Sequence, residues 1–221
     1  TKKWEDANNQ DGLRPKEIQV QLYAGDQEVG EKVVLSSDNK WTHTFTKLPE
    51  KANGQEIHYS VKEVNVPEGY TVTEESKEKG DVILTNTHTP STVDIPVTKI
   101  WVDNDNQDGL RPAKITVKLL ANGVEVARKD ITSETDWKET FTGLPKFKEG
   151  KEIVYTLQEE KVENYSPSID QESYTITNTH TPGKTTLSVT KQWDDQEDKD
   201  GLRPKSIKVQ LYADGKKSGE V

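Results

Sequence analysis

The chain has 221 residues, of which only 30% are hydrophobic and 31% are charged, close to the regime where chains stay unfolded. Its net charge of −9 is spread along the sequence rather than gathered in a tail, and no basic stripe with interleaved aromatics exists to neutralise phosphates. Nucleic acid is therefore excluded as a partner, and so is membrane insertion, because no apolar run approaches the length of a span.

There is no cysteine, so disulfides and thiolate metal sites are out of reach. Small extracellular domains usually need a staple, and here it has to be something else. With no Met, leader or lipidation motif, the chain is expected to be an internal piece of a longer protein.

Taken in order, the apolar residues fall in short alternating runs, the mark of strands with one buried face. Thr1–Trp4 opens the chain, Asp11–Pro15 reads as a turn, and Ile18/Val20/Leu22 forms a strand. Trp41 and Leu48-Pro49 follow, then strands at Tyr59/Val61/Glu63 and Val82/Leu84/Asn86. The whole order then recurs. Thr-Lys-x-Trp returns at Thr98–Trp101 and Thr190–Trp193, and Asp-Gly-Leu-Arg-Pro at Asp108–Pro112 and Asp200–Pro204. Trp137 answers Trp41, Leu144-Pro145 answers Leu48-Pro49, and Thr177–Pro182 answers Thr85–Pro90. A period of about 90–100 residues suits a small β-sandwich and is too long for a solenoid. The sequence predicts domains at 1–90 and 91–182 and a truncated third at 183–221. Asn122-Gly123 and Asp214-Gly215 predict hairpins, and Pro90 and Pro182 start short, stiff linkers.

Three polar residues per complete repeat sit on an apolar face. Lys99 lies with Ile95, Val97 and Trp101; Glu63 with Tyr59 and Val61; Glu159 with Tyr155 and Leu157. Asn86 shares a face with Val82 and Leu84, and Asn178 with Tyr174 and Ile176. A lone buried charge costs several kcal/mol, so such groups pair, snorkel or become neutral. A buried Lys–Glu ion pair with an asparagine alongside is one account, and a lysine reaching out to water is another. The third is chemical. An apolar site lowers the lysine pKa and raises that of glutamate, so the pair can exchange a proton and become neutral. The neutral amine is then a nucleophile, and the protonated glutamate can polarise the asparagine amide and shuttle protons as ammonia leaves. The product is a Lys–Asn side-chain amide, made once, without a cofactor.

Val-Thr-Lys-x-Trp, Asp-Gly-Leu-Arg-Pro, Tyr-x-Val/Leu-x-Glu and Thr-Asn-Thr-His-Thr-Pro, in this order, resemble the Cna B-type domain. The likeness covers essentially the whole chain, with the last copy cut short. It implies an all-β chain of tandem inverse immunoglobulin-like sandwiches, with an isopeptide bond between Lys and Asn formed under a catalytic Glu. By motif position the first domain would use Lys2, Asn86 and Glu63, and the second Lys99, Asn178 and Glu159. Glu160 falls on the opposite face. The first domain lacks the residues equivalent to Ile95–Val97, so Lys2 is expected to be less enclosed than Lys99. Lys191 has neither acid nor acceptor, because residues 183–221 contain no asparagine.

Other signals are weaker. Asp103-x-Asp105 with Asp108-Gly109 has its glycine one place too late for a calcium loop and Lys114 where the loop wants Glu, so it reads as an Asp-stabilised turn. Histidines 43, 58, 88 and 180 show no ligand spacing, and Trp41 and Trp137 are expected in the core. Asn164-Tyr165-Ser166 matches a glycosylation acceptor, which carries little weight in a bacterial surface protein.

The functional expectation is a structural spacer in a cell-wall-anchored adhesin on the surface of a Gram-positive bacterium. Its partners would be neighbouring repeats, and a different domain of the parent would bind the host matrix ligand. The alternative is that these modules themselves bind a matrix protein or glycan, although no large apolar or aromatic surface cluster is evident. A substrate-processing enzyme is not expected, since a paired-carboxylate hydrolase needs two acids facing one cleft.

Overall fold

The computed structural model describes residues 1–77 and 80–219, which are almost wholly strand and turn. In the second repeat, Thr92–Val102 lies between Lys138–Pro145 and Thr175–Thr179, and Ser166–Asp170 closes that sheet at its far edge. The other sheet has Lys114–Ala121 at its centre, flanked by Val124–Thr132 and Tyr155–Glu159. Alternate residues of both sheets meet in one core that includes Ile95, Val97, Val117, Leu119, Ile131 and Ile176. This is the two-layer packing that the period-2 pattern requires. Asn122-Gly123 makes the expected turn, both residues having positive φ, between Lys114–Ala121 and Val124–Thr132.

The first repeat has the same plan with a smaller core of Ile18, Val20, Leu35 and Leu84. Glu17–Ala24 is flanked by Gln27–Ser36 and Tyr59–Glu63, and Val82–Thr87 lies between Lys2–Glu5 and Thr71–Ser76. One strand is missing. Residues 42–50 are irregular, whereas their counterpart Lys138–Pro145 pairs with Thr92–Thr98. The first-repeat strand Lys2–Glu5 has four residues against eleven in Thr92–Val102, which leaves 42–50 little strand to pair with.

The first and last strands of each complete repeat run side by side and parallel: Lys2 pairs with Leu84 and Trp4 with Asn86, while Lys99 pairs with Ile176 and Trp101 with Asn178. Parallel neighbours cannot be joined by a tight turn, so the rest of each repeat is the crossover between them. This topology brings a lysine from the start of the module next to an asparagine from its end.

Residues Thr1–Pro182 form one compact unit and those from Gly183 another. Within the first unit the linker is pinned on both sides. The Ser91 N–H donates to Asp11 Oδ2 (2.8 Å), and the Ser91 carbonyl accepts from the Lys146 N–H (2.9 Å). The Gly150 N–H also donates to the Gln10 carbonyl, joining the turn of the first repeat to a hairpin of the second. From Gly183 onward only the hairpin Leu211–Ala213/Lys216–Ser218 forms among the described residues. The alternation at Leu187, Val189 and Trp193 predicts a strand there, but the segment is unpaired and Leu187 is 73% exposed. In the complete repeats this strand pairs with Val82–Thr87 or Thr175–Thr179, and residues 183–219 contain no counterpart to those closing strands.

Candidate functional site

Each complete repeat brings its three inward polar residues together. Lys2 and Asn86 come from adjacent strands of one sheet, and Glu63 reaches them from the edge strand of the opposite sheet, where it pairs with Val20. Lys2 Nζ lies 3.5 Å from Glu63 Oε2, and both side chains are fully buried. Asn86 Nδ2 donates to Glu63 Oε1 at 3.0 Å. The second repeat repeats the arrangement: Lys99 Nζ is 3.1 Å from Glu159 Oε1, and Asn178 Nδ2 donates to the same oxygen at 3.1 Å. Lys99 and Glu159 thus form a close, buried ion pair.

The expected difference in enclosure is not found. Lys2 and Lys99 are equally buried, at 4% exposure each. Lys2 is covered without a counterpart of Ile95–Val97, because its amine folds over the Trp4 ring and toward the Lys3 and Leu84 carbonyls.

Burial lowers the pKa of both lysines to about 8, with the neighbouring glutamate pulling the other way. At neutral pH about a tenth of such an amine is unprotonated, about two hundred times the fraction of a solvated lysine. Among the described residues, Asn86 Oδ1 and Asn178 Oδ1 are buried without a hydrogen-bond donor. An orphaned buried carbonyl costs about 1–3 kcal/mol. Turning the amide about its Cβ–Cγ bond exchanges oxygen for nitrogen against the glutamate, and a protonated carboxyl then supplies the missing donor.

The Cna protein B-type domain matches this sequence over residues 1–87, 95–179 and 187–221, nearly its whole length. The chain belongs to that family. It is 50% identical to a collagen adhesin of Staphylococcus aureus over 220 residues, a match that takes in the whole chain but only 18% of the relative. A crystal structure of two B repeat units of the collagen binding protein of S. aureus matches all of this chain and 58% of that one, with 50% identity and a TM-score of 0.78. A single B repeat unit of the same protein matches 82% of this chain and 96% of its own, at 34% identity and a TM-score of 0.41.

Around each triad the Cna B-type modules carry residues that the sequence pattern left unassigned. Asp103 is 2% exposed, and its carboxylate accepts from Arg111 Nε and Nη2, the Asn106 N–H and the Tyr165 hydroxyl. The Arg111 hydrogen bonds hold its pKa well below the usual carboxylate range, against the opposing effect of burial. Asp6, Arg14, Asn9 and Tyr70 repeat the cluster in the first module. These carboxylates are occupied by protein donors, consistent with an Asp-stabilised turn. The eight-residue offset from Asp to Arg, present three times in the sequence, was the available signal.

The histidines of the Thr-His-Thr-Pro motifs also have a place. His88 Nδ1 lies 2.8 Å from the Gly69 carbonyl and Nε2 3.0 Å from Asp11 Oδ2. His180 sits likewise between the Asn164 carbonyl and Asp108. Both neighbours of each ring are acceptors, an arrangement that favours the protonated ring and raises the pKa of both histidines above the ordinary value. Asp11 thus holds His88 and the linker at once. Trp41 and Trp137 pack edge-on against Trp4 and Trp101 at 5.2 and 5.1 Å, at the margin of the core.

Proposed function

We propose that this chain is a load-bearing spacer of a cell-wall-anchored adhesin, built of modules at 1–90, 91–182 and 183–221. In this reading each complete module is closed by a self-made isopeptide bond, Lys2 to Asn86 and Lys99 to Asn178. The observation that carries it is the duplicated buried triad, whose lysine amine and asparagine amide meet on one glutamate. Glu63 and Glu159 first take a proton from the ammonium. The neutral amine then attacks the asparagine Cγ, a C–N bond forms, and the bond from Cγ to Nδ2 breaks. One amine hydrogen stays on the new amide. The other passes through the glutamate to the leaving nitrogen, which departs as ammonia, and the glutamate ends protonated. No oxidant, metal or cofactor enters the balance.

The first and last strands are the ones linked, so tension applied between module ends passes through the amide and the sandwich need not unzip. By the chain-entropy relation for a disulfide, closing the loop from Lys2 to Asn86 is worth about 4.5 kcal/mol. Collagen binding, named for the S. aureus relatives, would belong to another part of the parent protein, as the chain spans 18% of the adhesin it matches. Neighbouring repeats would be its direct partners, outside the cell wall of a Gram-positive bacterium. Single-molecule pulling of Thr1–Pro182 tests the role: neither complete module should extend before the handles fail. Repeated unfolding steps the length of a whole module would rule it out.

A further inference from the structure

The lysine amine adopts the same pose in all three copies of the motif. Nζ of Lys2, Lys99 and Lys191 lies 4.5 Å from the ring centroid of Trp4, Trp101 and Trp193. The same ring meets a guanidinium each time, with Arg14 and Arg111 at 5.5 Å and Arg203 at 5.6 Å. Each arginine is in turn gripped by an aspartate, Asp6, Asp103 or Asp195. In the complete modules a tyrosine completes the support. Tyr70 and Tyr165 pack edge-on against the indole at 5.2 and 4.9 Å while donating to the aspartate.

The third copy separates cause from coincidence. Among the described residues Lys191 pairs with no glutamate or asparagine; it is exposed and donates to the Gln192 carbonyl. Its amine nevertheless rests on the indole as in the complete modules. The pose is therefore set by residues within about a dozen positions of the lysine, before the closing strand contributes anything. The indole is also an expensive choice for a core position. Trp4 Nε1 and Trp101 Nε1 are buried with no hydrogen-bond acceptor among the described residues. A phenyl or aliphatic group would fill space without that cost. What the indole offers is the strongest ring face for a cation.

We infer that Trp4, Trp101 and Trp193 are positioning residues: each indole, braced by its Asp–Arg pair, seats the lysine amine where the incoming glutamate and asparagine will meet it. This rests on the isopeptide reading for its purpose but not for its geometry. The ring attracts the ammonium, so it holds the protonated amine in place until the glutamate removes the proton.

Two measurements on the full chain test this. In the first, the ε-proton resonances of Lys191 are followed by NMR, where the indole ring current should move them upfield of the other exposed lysines. The Trp193→Leu variant should return them to ordinary values. Ordinary shifts in the unaltered protein overturn the proposal, whether or not any amide forms. In the second, ammonia loss is timed by mass from the first folding of chain synthesised and kept in denaturant, so that no amide has yet formed, across a pH series for the unaltered chain, Trp101→Leu and Trp101→Phe. Removing the indole should slow the high-pH plateau about tenfold, and Phe should recover part of it. The pH midpoint should fall in the Leu variant, because the ammonium has lost its ring; a purely structural role would leave the midpoint in place. If Trp101→Leu does not fold, the Phe variant alone carries the midpoint comparison. An unmoved plateau and midpoint overturn the inference, whereas no ammonia loss in the unaltered chain overturns the isopeptide reading instead and leaves the Lys191 result to decide this one.

Discussion

The junction between the two complete modules rests on a contact that only glycine permits. Gly12 has φ +74°, and a Cβ placed there would sit 2.5 Å from Gly150 Cα. Normal carbon–carbon contact is about 3.5–4.0 Å, so Gly12→Ala must push the turn and the hairpin apart by about an ångström or more. The Gly150 N–H to Gln10 carbonyl bond, 3.0 Å long, cannot survive that separation. Losing it costs about 1 kcal/mol, and left-handed backbone costs alanine about another 1 kcal/mol, so Gly12→Ala destabilises the joined modules by about 2 kcal/mol, of which only the first half comes from the joint. Gly54 provides the control. It has φ +81° in the equivalent hairpin of the first module but no atom within 4 Å, so Gly54→Ala carries the strain without the collision. The chain has no cysteine, which allows spin labels at Lys32→Cys and Glu134→Cys, both exposed and one in each module. Dipolar spectroscopy should give a narrow distance distribution in the parent and in Gly54→Ala, and a broadened or shifted one in Gly12→Ala. An unchanged distribution in Gly12→Ala would refute the view that this contact sets the joint.

Other outcomes follow from the same structure. Glu63→Ala and Glu159→Ala should each leave one ammonia unreleased while the strands still form, as read by intact mass and far-ultraviolet circular dichroism; ammonia loss unaffected by either change would remove glutamate from the chemistry. His88 should titrate above its ordinary value of 6.5, since the Asp11 hydrogen bond and the Gly69 carbonyl both favour its charged form over the opposing effect of burial. A raised folded-state pKa means that its contribution to stability is complete below 6.5 and fades as pH rises through the folded value. Imidazole nitrogen NMR of the folded chain checks this, and a midpoint at or below 6.5 would contradict it. Amine-labelling reagents should modify Lys191 readily and leave Lys99 untouched, and labelling of Lys99 would mean that its amine is neither buried nor consumed.

Much of the fold was legible because strand burial writes itself into every second residue. Lys99, between Val97 and Trp101 on one face, and Asn178, beyond Ile176, were readable as inward-pointing from alternation alone, and the structure buries both. The convergence of Lys, Glu and Asn on one point was not readable that way. It depends on the first and last strands lying parallel and on Glu159 crossing from the other sheet, which are long-range pairings that local pattern does not encode. The Asp–Arg–Tyr clusters were missed for a related reason: the turn motif marked Arg111 as repeated, but Tyr165 reaches Asp103 from 62 positions away. The strand expected at Leu187–Trp193 did not form because alternation specifies a face but not the partner strand needed to pair with it.

The claim at the centre of this account is that two lysines and two asparagines become two amides. Intact mass under denaturing conditions tests it directly, on the folded chain and without mutation. The account predicts a mass below that of the sequence by one ammonia for each complete module, two in all, unchanged by boiling or reducing agent. The full sequence mass in correctly folded protein would contradict it and leave Lys2–Glu63 and Lys99–Glu159 as buried ion pairs.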